Sequence, residues 1–150
     1  MSETSTEIHV FLGVFKFGDD PQVVTDLLGI RPTSVIVPGT PMRGGPGERG
    51  LPWRYGRWEL TSPAGPSASV EEQLLALLPL LEERADAIRE ANARFEVGIM
   101  CAAYFREVNP GFHLDSALLA RLAALRLDID FDLYCMETVE EKGSVSEPAG

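Results

Sequence analysis

"LDIDFDLYC", residues 127–135, sets an aspartate at every second position between apolar residues. A period of two belongs to a β-strand with unlike faces. Asp128, Asp130 and Asp132 share one face, while Ile129, Phe131 and Leu133 share the other and are expected to enter the core. Neighbouring aspartates on such a strand recur about every 6.6 Å, so the outer two lie about 13 Å apart. That is too far for one hard cation, which takes oxygens at about 2.0–2.6 Å. Adjacent carboxylates repel by about 0.6 kcal/mol in water and by about 2.5 kcal/mol at the effective dielectric of a protein surface. The row is therefore read as an acidic surface, the wet face of a strand, and not as a metal or catalytic centre.

Working backwards from this strand, "HLDSALLARLAAL" reads as a helix capped by Asp115 or Ser116, entered through a turn at "NPGF". "RFEVGIMCAAYF", residues 94–105, alternates as a strand, with Phe95, Val97, Ile99, Cys101 and Ala103 on one face. The longest helix opens at "SVEE", a capping box with Ser69 as cap and Glu72 reaching back. Its apolar stripe runs through Leu74, Leu78, Leu81, Ala85 and Ile88, and Pro79 inside the run predicts a kink.

At the other end, "IHVFLGVFKF", residues 8–17, is apolar on both faces and predicts a central strand covered on both sides. "GDDPQVVTDLLG" follows as a helix, with Asp19 or Asp20 as cap, Pro21 in the first turn and Gly29 as terminator. "SVIV" is a short strand. In "WELTS" Trp58 and Leu60 alternate as inward residues against Glu59 and Thr61. "VVTDLLGIRPTSVIV" and "LLARLAALRLDIDFDL" echo one another weakly, each a short helix feeding a strand. The predicted fold class is α+β: a mostly antiparallel sheet with helices packed on it, in a ferredoxin-like or duplicated strand-helix-strand arrangement. One domain is expected over residues 1–136, followed by an acidic, flexible tail at 137–150.

The bulk properties narrow the function classes. At 150 residues the chain is one domain by length, and 45% hydrophobic residues are enough for a core. A formal net charge of -10 disfavours nucleic acid and anionic membrane as partners and suits a basic protein. Two cysteines cannot build a secreted disulfide framework; Cys101 and Cys135 both fall at apolar strand positions and are expected as inert core thiols. "MSETSTEIHV" has neither the basic nor the apolar region of a signal peptide, and a cytoplasmic address is expected.

Residues 38–57, "PGTPMRGGPGERGLPWRYGR", break all periodicity with glycine and proline. This loop carries Arg43, Arg49, Arg54 and Arg57 against Glu48, with Trp53 and Tyr55 among them. Arginine grips carboxylate or phosphate through paired donors, and tryptophan with arginine marks interface hot spots. Arg43, Arg49, Trp53, Arg54 and Arg57 are thus the candidates for partner or anion binding. Equally, these arginines could neutralise the domain's own acidic surface. "RGGPGERG" lacks the lysine and context of a phosphate-binding loop. His9 and His113 have no metal-ligand spacing, and no cofactor, metal or catalytic residue is assigned.

Taken in order, "LLGIRP" (27–32), Trp58 and "LDIDFDLY" (127–134) resemble the bacterial domain-of-unknown-function 4279 family over about residues 8–136. The resemblance implies a small intracellular α+β domain without a settled activity. Relatives of this kind can lie beside toxin or secretion genes, which brings in an immunity-type inhibitor by association. The expectation is a non-enzymatic protein-binding domain. The alternative is an anion-binding or catalytic domain with loop 38–57 as lid, and a homo-oligomer stays open as a third reading.

Overall fold

The structure is a computed structural model and describes residues 6–39, 55–106 and 109–136. Arg43, Arg49, Trp53, Arg54 and the tail at 137–150 lie outside the described residues. The described elements run β1 (Glu7–Phe15), α1 (Gln22–Leu28), β2 (Ser34–Ile36), β3 (Arg57–Thr61), α2 (Val70–Glu82), α3 (Ala85–Arg94), β4 (Glu96–Phe105), α4 (Ser116–Ala124) and β5 (Asp128–Cys135). They form one five-stranded sheet in the order β2-β3-β1-β4-β5. The first four strands are antiparallel and follow the ferredoxin-like order, and β5 is appended parallel to β4. The two helix-to-strand echoes of the sequence are α1–β2 and α4–β5, which supply the two edges of the sheet.

The helix signals act locally as their chemistry dictates. Ser69 and Glu72 close a reciprocal capping box at α2, and the Asp115 carboxylate accepts from the Leu118 N–H at 2.8 Å to start α4. Gly29 ends α1 in the left-handed region at φ 67°, its N–H bonded to the Thr25 carbonyl. The apolar run expected as one helix through Ile88 is two helices, and the division does not fall at Pro79. That proline lies on the exposed side of α2, which continues to Glu82; the chain leaves helical geometry at Arg84 (φ -122°, ψ 35°), and α3 begins anew.

All four helices contribute to one core cluster with alternate strand residues. These are Ile8, Val10, Leu12 and Val14 from β1, Val97, Ile99, Cys101 and Ala103 from β4, and Trp58 and Leu60 from β3. The Trp58 indole N–H donates to the Thr25 hydroxyl at 3.0 Å, which ties α1 to the sheet. The other residues of β1, among them His9, Phe11 and Phe15, stay outside this cluster. The expected cover on both faces of β1 is therefore corrected: among the described residues, helices occupy one face.

β3 pairs with β1 only from Phe11 to Phe15, which leaves the first half of β1 without a strand on that side among the described residues. The gap is closed by other groups. Ile8 N–H donates to the Pro66 carbonyl and Val10 C=O accepts from Ser62 N–H. Gln73, buried in the leucine stripe of α2, fills the two remaining places. Its Oε1 accepts from Val10 N–H at 3.0 Å, and its Nε2 donates to the Ile8 carbonyl at 2.7 Å and the Ala68 carbonyl at 3.0 Å. Gln73 thus substitutes for a strand neighbour. Gln73→Leu keeps the apolar stripe but orphans a buried N–H and carbonyl, and should destabilise the domain by about 2–4 kcal/mol. Urea unfolding followed by tryptophan fluorescence checks this; a variant within about 0.5 kcal/mol of wild type contradicts it.

Candidate functional site

On a strand the odd and even residues face opposite ways, and the pairing registers extend each row across the sheet. The row holding His9, Phe11 and Phe15 continues through Met100 and Tyr104 on β4, and through Arg57 and Glu59 on β3. On β5 it meets Asp128, Asp130, Asp132 and Tyr134. Tyr104 and Tyr134, opposite one another, stack with ring centroids 4.8 Å apart, and His9 meets the Tyr104 ring edge-on at 6.0 Å. This helix-free face is aromatic along its middle and acidic along one side. The three aspartates are exposed, as the alternation implied.

Arg57 is the candidate arginine of the loop that the structure describes. Its Nε lies 2.5 Å from Glu59 Oε2, and its guanidinium sits 5.9 Å from the Phe11 ring centre. The pair is encoded two residues apart on one strand, hence on one face. Glu59 is mostly buried, and burial raises its carboxyl above the usual value while Arg57 opposes that rise. The acidic group beside Arg57 is thus Glu59 of its own strand, while the aspartate row lies across the sheet on β5.

The far edge departs most from expectation. Phe131 and Leu133 do lie on the helix side of the sheet by register, but they are 38% and 54% exposed instead of entering the core. Ile129 alone of the three packs against the core. Tyr134 and Met136 are exposed as well, and Phe112 stacks on Phe131 with centroids 5.7 Å apart. The cysteines divide in the same way. Cys101 is buried, its thiol pushed up to about 11 by burial and then by the charge of Asp132, whereas Cys135 is exposed and not the core thiol expected.

Two surface cavities flank the helices. One, of about 480 Å³, lies beside the end of α1 and is lined by Thr25 and by Gly29, Ile30, Arg31 and Pro32 of the "LLGIRP" stretch. The other, of about 440 Å³, lies at the start of α2 near Phe112 and His113, where Ser69 and Glu72 already satisfy the exposed helix end. Among the described residues no three His, Cys, Asp or Glu side chains gather as a metal site. No helix among them is long and apolar enough to cross a membrane. The residues missed by sequence reasoning are Glu59, Tyr104, Tyr134 and Phe112. The shared parity of Glu59 with Arg57 was the signal present for the first; the ring stacks depend on long-range register.

A raised carboxyl binds its proton more tightly folded than unfolded. Stability should therefore fall as pH rises from the ordinary carboxyl value of 4.5 through the raised one. Relative to wild type, Glu59→Gln should gain stability across that window in thermal melts taken from pH 4 to 7; a difference independent of pH contradicts the assignment. Separately, a thiol reagent at neutral pH should modify Cys135 at once and Cys101 only after unfolding, giving one thiol in native protein and both of the 2 in denaturant. Two fast-reacting thiols in the native protein would contradict the buried placement of Cys101.

The family described as "Domain of unknown function (DUF4279)" matches residues 6–136, and the chain belongs to it. No curated protein and no solved structure matches the chain.

Proposed function

We propose that this member of the DUF4279 family is a non-enzymatic protein-binding domain, and that the helix-free face of its sheet holds a basic protein partner. The observation that carries the reading is the composition of that face. The stacked Tyr104 and Tyr134 lie beside exposed Asp128, Asp130 and Asp132, which offers aromatic anchors next to acidic steering groups. A net charge of -10 adds long-range attraction for a basic target. An immunity-type inhibitor, which covers a basic toxin with an acidic surface, is one instance of this chemistry. A bacterial cytoplasmic setting accords with the exposed free thiol of Cys135, since reducing compartments keep such thiols unpaired.

Affinity capture from native cell extract, at low and high salt, tests the proposal. A basic protein should be retained at low salt, and its association rate should drop about tenfold when salt is raised from about 0.05 to 0.5 M. Replacing Asp128, Asp130 and Asp132 together by asparagine should remove most of that salt dependence while leaving the melting temperature near wild type. Recovery of a co-purifying small anion and no protein would sink the reading.

A further inference from the structure

We infer that the free edge of β5 is a strand-addition site for an extended partner segment in which basic and apolar residues alternate. The inference deepens the protein-binding reading and rests on it. β5 pairs with β4 residue for residue from Gly98↔Asp128 to Phe105↔Cys135, without a bulge, and it ends the sheet. Its other side therefore presents a row of backbone donors and acceptors with no strand against them among the described residues. Protein edges are commonly blunted by shortness, charged side chains, proline or bulges. The opposite edge, β2, is only 3 residues long. β5 has 8 residues, "DIDFDLYC", with no proline or bulge, and its charges are all negative, so they discourage like strands but not a basic one.

The side chains flanking this edge say what would fit. On the helix side an incoming strand would meet Phe131 and Leu133, with Phe112 stacked behind Phe131 to form an apolar shelf. On the other side it would meet Asp130 and Asp132. Directly opposed residues share a face, so the complement is a strand with apolar residues facing the shelf and lysine or arginine facing the aspartates.

A second copy of the chain is a poor occupant. Antiparallel self-pairing centred on residue 130, 131 or 132 sets aspartate against aspartate, and like charges directly opposed destabilise a sheet. The chain's own residues 137–150 fit no better, with Glu137, Glu140, Glu141 and Glu147 against Lys142.

The test uses an eight-residue peptide alternating lysine and valine, and the same peptide N-methylated on one or the other alternate set of residues. Strand addition engages one edge of the peptide. One methylated set should therefore abolish binding, while the other should bind within about twofold of the parent. Amide exchange of β5 should slow on binding. Asp130→Asn and Asp132→Asn should each weaken binding about threefold.

No binding of the parent peptide, or an equal response to both methylated sets, overturns strand addition. If binding is salt-dependent but equally affected by both sets, the acidic-face reading survives and the edge inference alone falls. If the parent peptide fails while a basic protein is still captured, the edge inference again falls by itself. Loss of both removes the protein-binding reading too.

Discussion

The limited width of the helical layer is the constraint from which the rest of this structure follows. Five strands at a spacing of about 4.8 Å place the outer two about 19 Å apart, and the helices meet the sheet chiefly at its inner strands, α2 on β1 and α3 on β4. The helices concentrate over the centre. Every inward residue of β1 from Ile8 to Val14 is buried, and so is the β4 series Val97, Ile99, Cys101 and Ala103. Coverage then fades toward both edges, leaving Val35 of β2 at 43% exposure and Leu133 of β5 more open still. Phe11 and Tyr104 stay outside the core cluster, so among the described residues the helices pack on one face of the sheet.

That constraint also marks where sequence reasoning runs out. Alternation reports which face a residue occupies; it does not report whether anything lies over that face. Trp58 and Leu60 alternate and are buried, while Phe131 and Leu133 alternate just as clearly and are not. Cys101 and Cys135 read alike in sequence and separate only because one sits on an inner strand and the other at the end of an edge strand. Caps were legible because they are local: Ser69 with Glu72, Asp115, and Gly29 each act within a few residues of themselves. Pro79 was legible too, but the end of the helix was not: the chain leaves helical geometry at Arg84. Gln73 was visible as a polar interruption among leucines, although its partners on β1 lie more than 60 residues away.

For the candidate surface the same division holds. The exposure of Asp128, Asp130 and Asp132 could be read from period and electrostatics, and the pairing of Arg57 with Glu59 was implicit in their spacing on one strand. The stack of Tyr104 on Tyr134 required the parallel register of β4 with β5. No local pattern encodes that register, because a parallel pair is joined through a helix and its alignment is set by how α4 packs. Whether β5 sits inside the sheet or at its margin is likewise a property of the whole topology.

The aspartates and the edge they occupy are best understood together. An exposed strand with apolar side chains invites pairing with any similar strand, including its own copy. Carboxylates opposed at about 5 Å repel by about 0.8 kcal/mol in water and about 3 kcal/mol at a protein surface, and self-pairing near the middle of β5 would force that contact. The same charges attract a cationic strand and leave the apolar side of the edge unchanged. Alternation therefore divides the labour on β5: Phe131 and Leu133 provide the contact area, and Asp130 and Asp132 decide which strands can approach it. Lysines at those positions would also prevent self-association but would reverse the charge of the accepted partner. Neutral residues would leave the edge open to any apolar strand. An acidic row beside an apolar shelf is thus a selective surface, and the protein's net charge of -10 has the same sign as that selection.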